Sequence, residues 1–457
     1  MITILFILQF LKIDIEERLA KIESLINIYQ RKDFYLLEEK NLAKGFSNYW
    51  VIGYKEGKKQ DLKNLIEGKG GKIIKESNTG GNYLLAYLPL FQLIKEDFIR
   101  YFEPSVKLKY SFSPNDEFYF KYQWDKWVMY SDWVWDFEIG KKDIIVAICD
   151  QGIDYYHPDL RENFSFDLIG YDFVDNDNDP YPENEEELHG THVAGIVAGV
   201  INNYIGISGW AQVRLLAVRV LNEHGEGSDF DVAEGIRWAT DNGARIINLS
   251  LGTDTYSSVL KEAVEYAYKK GVLLIAASGN DGMANILYPA KFKEVIACGA
   301  LNKSNGLAYF SNYGKEQELV APGTEILSTI PNNRYILLDG TSMASPQICG
   351  IASLILSSFP FLTNCQLRAI LNGGTVDLGD KGWDRYYGFG LLNAYYTYLI
   401  AQEYVYREYY KKIKVENQNY KKEEFYGILG NKLRNNKKRK MVYFLKKGKY
   451  FQKRINF

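Results

Sequence analysis

From Asp143 to about Ile400 the chain alternates short, continuous runs of Val, Ile and Leu with amphipathic segments. DIIVAICD, THVAGIVAGVI, VRLLAVRVL, FDVAEGIRWATDN, ARIINLSLG, VLKEAVEYAYKKG, VLLIAASGN and EVIACGAL follow one another. A strand apolar on both faces cannot lie at a solvated surface and needs cover above and below. The alternation therefore predicts an α/β domain, with a mostly parallel sheet and helices on both faces. In such sheets reactive groups collect outside the carboxyl ends of the strands. A length of 457 residues leaves room for two or three domains, and 46% hydrophobic with 25% charged residues excludes a disordered chain and a miniprotein.

Four regions are expected. Residues 1–47 read as an N-terminal helical segment, because apolar residues recur at helical spacing through 13–44 without Gly or Pro. Its opening, MITILFILQFLK, has a short apolar core but no basic start and no small-residue cleavage site, the pattern of an irregular secretory signal. Secretion is the expectation, with an intracellular location as the alternative. No apolar run reaches the roughly 18 residues of a membrane span. Residues 48–110 read as strand, helix, strand, strand, helix, strand, with FQLIKEDFIRYF as the second helix and VKLKY as the last strand. That is the order of a small ferredoxin-like α+β domain. Residues 111–400 form the α/β domain. From 401 to 457 the chain holds 17 Lys/Arg against 5 Asp/Glu and little periodicity, a basic and poorly structured extension in a chain whose total charge is only −2. That near-neutral total gives no global field for nucleic acid. Cys149, Cys298, Cys349 and Cys365 contain no CxxC pair and read as buried free thiols.

Three segments place a reactive side chain among small residues at a strand end or helix start. In IIVAICDQGIDYYHPDL, Asp150 ends an apolar run; alone it is more often a turn or cap residue. In ELHGTHVAGIVAGVI, His189 opens a helix and offers a side chain that carries protons near neutral pH. His189 and His192 at i and i+3 also suit zinc, but the segment lacks a Glu at the second position and a third ligand. In DGTSMASPQICGIASLIL, Ser342 sits at a helix N-terminus, where the peptide dipoles favour developing negative charge. Each has an unremarkable reading as a cap or a packed residue. Together they are the set needed to activate a hydroxyl through a base held by a carboxylate.

These segments resemble the subtilisin-like serine peptidases, in which the three groups come in the order Asp150, His189, Ser342. VAICDQGIDYYHPDL, HGTHVAG, INLSLG, AASGN, YPAKF, FSNYG, VAPGTEILST, GTSMASP and YGFGLLNA occur in family order across residues 143–394. The resemblance implies that Ser342 is the nucleophile, His189 the general base and then acid, and Asp150 the group that orients the imidazole. Asn280 in AASGN would supply the side-chain donor of the oxyanion hole, beside the Ser342 N–H. It implies an extended peptide substrate held along Ser250, Leu251, Gly252 and Gly279, with the strand-like GSDF near Gly227 on the other side. Leu287 aligns with the floor of the pocket for the residue before the scissile bond, where many relatives have glycine, so small or medium apolar side chains are expected there.

The same resemblance implies structural calcium and no catalytic metal. Asp172, Asp175, Asp177 and Asp179 crowd one acidic loop and would suit a hard cation, the alternative being a solvated loop. A second site pairs Asp159 with Asn203. Residues 48–110 resemble the family's inhibitory propeptide, and self-cleavage is expected between about Val106 and Asn115, with NDEFYFKYQWDKW starting a monomeric mature enzyme. Leu188, Gln347 and Cys349 depart from the family pattern without removing a reactive group, and Cys149 would make the site sensitive to mercurials if solvent reached it. The leading expectation is a serine endopeptidase acting on polypeptides and made as a self-processing zymogen. One rival is an inactive relative that only binds peptides. Another puts the main function in the basic extension.

Overall fold

In the computed structural model the described residues are 49–77, 81–88, 96–104 and 112–412. They belong to two compact units. The helical reading of 13–44, the VKLKY strand, the part of the expected Val106–Asn115 cleavage region up to residue 111, and the extension beyond 412 lie outside them.

The smaller unit contains β1 (Tyr49–Tyr54), α1 (Lys59–Gly68), β2 (Lys72–Glu76), β3 (Tyr83–Tyr87) and β4 (Ile99–Pro104). Its sheet runs β2-β3-β1-β4, with antiparallel neighbours. Alternate residues Trp50, Ile52 and Tyr54 of β1 pack with Leu62 and Ile66, one turn apart on α1, and with Leu84, Ala86 and Leu88. FIRYF is not the helix its spacing suggested: Ile99–Pro104 is a strand. It covers the free edge of β1, pairing Ile52 with Phe102 and Gly53 with Tyr101, so the ladder decides a segment of ambiguous period.

The larger unit is built on nine strands in the order β14-β15-β11-β10-β9-β8-β5-β7-β6. These are β5 (Ile145–Asp150), β6 (Gly170–Asp172), β7 (Arg214–Arg219), β8 (Ile246–Leu249), β9 (Leu273–Ala277), β10 (Val295–Leu301), β11 (Gln317–Pro322), β14 (Thr375–Val376) and β15 (Leu391–Leu392). All neighbours are parallel except β14 and β15. Every residue of β5, β8, β9, β10 and β11 is buried, the mark of a sheet covered on both faces.

Helices α2 (His189–Ala198), α3 (Asp229–Asp241), α4 (Ser258–Lys269) and α5 (Thr341–Ser358) supply that cover. Val232, Ile236, Leu260 and Val264 of α3 and α4 share one core with Ala147, Cys149, Val218 and Leu249. From the opposite face Asn248 accepts hydrogen bonds from Ser345 Oγ at 2.9 Å and Cys349 Sγ at 3.3 Å, both on α5. A hairpin, β12 (Ile326–Ile330) with β13 (Arg334–Leu338), packs near α2. After Ile400 the chain does not become irregular at once: a final helix runs from Ala394 to Lys412. Tyr398, Ile400, Ala401, Tyr404 and Val405 are buried along it, and Glu403 pairs with Arg407 at 2.9 Å, so packing carries the helix past the change in composition.

Candidate active site

Asp150 is the last residue of β5 and is fully buried. Its Oδ1 accepts from the Gln151 N–H at 2.8 Å and from His189 Nδ1 at 2.8 Å. That fixes the imidazole tautomer, since Nδ1 carries the proton and Nε2 is left as the base. Gly190 allows the approach: a Cβ there would collide with the Gly152 carbonyl oxygen and lie 3.2 Å from the Asp150 Cβ. The His189 side chain keeps 28% of its surface exposed. Burial pushes its pKa down, but the Asp150 charge and hydrogen bond outweigh this, and the net position is above the ordinary imidazole value. His192 is different. It is fully buried, its Nε2 donates to the Ile326 and Ile336 carbonyls, each at 3.1 Å, and burial drives its pKa down to about 3. The zinc alternative for this pair lacks the further ligands it needs: the Nε2 of His192 is spent on the β12–β13 hairpin, and among the described residues no third His, Cys, Asp or Glu joins the two imidazoles.

Ser342 is the second residue of α5. Its hydroxyl donates to the Ser250 carbonyl at 3.3 Å, while Ser250 Oγ donates to the Ser342 carbonyl at 2.9 Å. Ser250 follows β8 directly, and β8 pairs with β5 in the register Cys149 opposite Leu249. The nucleophile candidate is thus tied to the strand end beside Asp150. Asn280 lies three residues beyond β9 and is tied to the same helix. Its Oδ1 accepts from the Thr341 N–H at 2.9 Å and the Thr341 hydroxyl at 2.8 Å. With the carbonyl end of the amide occupied, the NH₂ end faces the site: a Cβ built on Gly340 would lie 3.5 Å from both Asn280 Nδ2 and Ser342 N. Two N–H donors therefore converge on one small volume. Thr341, which sets the amide's orientation, was missed by sequence reasoning; its only signal was its place inside GTSMASP.

Gly252 and Gly279 lie three and two residues past the neighbouring strands β8 and β9, and Leu287 stands between them. A Cβ at Gly252 would lie 2.9 Å from the Leu287 Cβ, and one at Gly279 would lie 2.9 Å from its Cγ. Gly279 also has φ +114°, which a side chain would strain. Leu251 and Leu287 are half-buried and Gly252 is exposed. The GSDF reading is corrected: Gly227 is in a loop, but Ser228 caps α3 by accepting from the Asp231 N–H at 3.0 Å, and Asp229 and Phe230 are already helical.

The acidic loop is organised around an internal cation. Arg219, fully buried at the end of β7, donates to Asp172 at 2.7 Å, to Asp175, and to Glu187 at 3.2 Å. Asp177 instead accepts from the Asp179 N–H at 2.8 Å, and Asp179 from the Tyr155 hydroxyl at 2.6 Å, so the four carboxylates do not share one centre. Arg219 gave no motif signal. At the other candidate site Asp159 accepts from Asn203 Nδ2 at 2.6 Å and the Ile207 N–H at 2.8 Å. Asp116, not singled out in the sequence, accepts from the Asn202 and Asn203 N–H groups at 3.1 and 3.0 Å. Burial raises the pKa of both carboxyl groups, that of Asp159 to about 7, with the Asp116 charge adding to it. Asp116 and Asp159 lie on separate segments that meet at the loop after α2, and two buried, mutually repelling carboxylates fit an oxygen-seeking cation, while the Asn203 amide turns its Nδ2 to Asp159 and its Oδ1 to the Ile205 N–H. Among the described residues no group of three or more His, Cys, Asp or Glu is disposed to hold a metal.

The departures from the family pattern are accommodated. Leu188 caps α2 in ordinary helical conformation. Gln347 is buried in α5, where it donates to Asp125 at 2.9 Å and accepts from Lys126 at 3.0 Å and from the Trp210 indole. Cys149, Cys298 and Cys349 are fully buried and burial raises their thiol pKa, so the proposed mercurial sensitivity of Cys149 has no route; Cys365 is only half-buried.

A carboxylate, an imidazole, an alcohol and two convergent N–H donors at the carboxyl ends of a parallel sheet make the site of a serine peptidase. The Subtilase family model matches residues 141–390, more than half of the chain. A thermophilic serine proteinase of Bacillus sp. (strain AK1) is 42% identical over 298 residues, which cover 65% of this chain and 72% of that protein. Thermitase of Thermoactinomyces vulgaris is 39% identical over 285 residues, covering 62% of this chain and 98% of thermitase. A halolysin-like extracellular serine protease, Nep of Natrialba magadii, is 42% identical over 304 residues, but this chain spans only 56% of its length. A solved protease of Pseudoalteromonas arctica PAMC 21717 superposes with a TM-score of 0.58 at 29% identity, covering 64% of this chain and all of that one. The chain belongs to the subtilase family. Among the described residues no helix is long and apolar enough to cross a membrane.

Proposed function

We propose that this chain is a secreted serine endopeptidase that cleaves polypeptides through an acyl-enzyme on Ser342. The observation that carries the reading is the 2.8 Å contact of Asp150 with His189 beside the strand end to which Ser342 is tied. In this reading the Ser342 hydroxyl turns from the Ser250 carbonyl to His189 Nε2, which takes its proton as the oxygen attacks the peptide carbonyl. Asp150 steadies the imidazolium. The oxyanion accepts from Asn280 Nδ2 and the Ser342 N–H, and His189 then returns the proton to the leaving amine before water repeats the sequence on the ester. The presence of all four groups weighs against the inactive-relative reading.

A fluorophosphonate should form one covalent adduct, on Ser342 of the matured protein. Its rate should climb with pH as His189 loses its proton, with a midpoint above the ordinary imidazole value of about 6.5, and then level off. The same attraction stabilises the fold below that ordinary value and is lost as pH rises through the folded-state pKa. No adduct, or labelling that is fastest in acid, would sink the assignment.

The slot floored by Leu287 supports cleavage after small or medium apolar residues. A mixed peptide library cut mainly after Phe or Tyr would overturn that preference, and Leu287→Gly should move the preference toward those aromatics by roughly tenfold or more, the scale of one or two buried methylenes.

Calcium held by Asp116 and Asp159, with the Asn203 amide turned over to present its oxygen, would relieve the repulsion between the two buried carboxylates and fasten the start of the α/β domain to the loop after α2; it takes no part in the chemistry. Saturating calcium should raise Tm by roughly 5–10 °C over chelator-treated protein, the effect of a ligand at about a hundredfold its Kd. Asp159→Asn should abolish the response. An unchanged Tm on chelation of the native protein would dismiss the site.

Residues 48–110 are read as an inhibitory propeptide removed by the enzyme itself, a reading supported by their compact four-stranded sheet backed by α1.

A further inference from the structure

The loop Asp281–Leu287 has two sides. Its last residue floors the proposed specificity slot, while Asn285 and Ile286 line a separate cleft of about 460 Å³. Asn312 holds the loop between them. Its Oδ1 accepts from the Asp281 and Met283 N–H groups at 2.9 and 3.1 Å, and its Nδ2 donates to the Asn285 carbonyl at 2.9 Å.

The chemistry of the cleft runs against the rest of the chain. Residues 1–400 carry an excess of 14 acidic groups, yet Lys291, Lys315 and Arg385 all face this opening. Its one acid, Glu316, is already 3.7 Å from Lys315. Lys291 donates to the Asn285 side-chain oxygen at 3.0 Å and lies over the Tyr288 ring, and Arg385 stacks near the rings of Tyr313 and Tyr386. Neither has a carboxylate partner among the described residues. Aromatic contacts hold both heads in place without neutralising them. Trp383 completes the wall; its Nε1 donates to the Gln317 carbonyl at 2.8 Å, so its ring is fixed as a flat apolar surface beside the two cations.

We propose that this cleft is an anion-binding exosite that takes a carboxylate, supplied by an acidic side chain of a polypeptide held outside the catalytic groove. Two pre-positioned cations with unspent charge favour a carboxylate, Arg385 through its forked donors and Lys291 as a point charge, and the indole covers the attached methylenes. Lys291 keeps its bond to Asn285, on the loop that ends at Leu287, so a carboxylate meets the ammonium where it already stands.

The inference does not depend on the peptidase reading, and its test uses the full chain with Ser342→Ala to prevent turnover. The probe is acetyl-Glu-Glu-Glu-amide, titrated calorimetrically against its all-Gln counterpart, with sodium acetate as the free-carboxylate arm. The acidic peptide should bind with Kd on the order of millimolar, weaken as salt is raised, and lose at least tenfold in affinity in Lys291→Gln/Arg385→Gln. The all-Gln peptide should not bind. Arg385→Lys, which keeps the charge but loses the fork, should bind more weakly than the parent and more tightly than the double variant, and so distinguish a weakened site from a misfolded one. Three results overturn the proposal: equal binding of both peptides, affinity unchanged in the double variant, or acetate binding as tightly as the peptide, which would make the cleft a free-anion site.

Discussion

Ser342→Ala should stop turnover while leaving the fold in place. The substitution removes one hydroxyl from a half-buried position on α5 and forfeits its bond to the Ser250 carbonyl, at most about 1 kcal/mol. The expected fall in kcat is on the order of 10⁶, a magnitude belonging to the related subtilisin and not obtained from the geometry of this chain. What remains should still exceed the uncatalysed rate, because the Asn280 amide and the Ser342-position N–H are untouched. The variant also separates two readings of the N-terminal part. If the enzyme removes its own propeptide, Ser342→Ala should accumulate at full length, and active enzyme added to it should trim it between about Val106 and Asn115. Mass spectrometry of the N-terminus decides this. A Ser342→Ala protein that matures unaided would assign the cut to another protease, and one that still hydrolyses peptides at the native rate would end the mechanism.

Asn280→Leu should lower kcat by about 10² to 10³ with KM nearly unchanged, the usual cost of losing one oxyanion donor and again a figure drawn from subtilisin. The reason for expecting so much from one exposed amide is its fixed orientation. Thr341 binds the Oδ1 end with both its N–H and its hydroxyl, so the Nδ2 end needs no reordering when negative charge develops. Thr341→Val tests that reasoning, since it keeps the N–H and removes the hydroxyl. It should cost less than Asn280→Leu, fall on kcat, and lose most of its effect when Asn280 is already Leu. Equal and additive losses from the two would mean that Thr341 acts on its own.

The sequence carried the parallel sheet and the approach of His189 to Asp150 because both depend on strong local signals: runs such as IIVAICD that no solvated strand tolerates, and small residues such as Gly190 where two backbones meet. Pairings made across the sheet left no such mark. Arg219 looks like any basic residue at a strand end until β6 and β7 bring Asp172 beside it. Asp116 acquires meaning only when the loop after α2 turns its N–H groups toward it. FIRYF and the continuation of the last helix to Lys412 were misjudged for a related reason: a waiting sheet edge and a buried tyrosine face decide such segments more than their own composition does.

The guanidinium of Arg219 has a bearing on where such a molecule can operate. A charge fastened to the polypeptide cannot be dialysed away, captured by phosphate or exchanged for a competing metal, so the turn it anchors next to Asp150 keeps its form in media of any mineral content. The proposed calcium ligands Asp116 and Asp159 lie on other segments, so chelation that loosened them would leave the bonds of Arg219 to Asp172 and Glu187 intact.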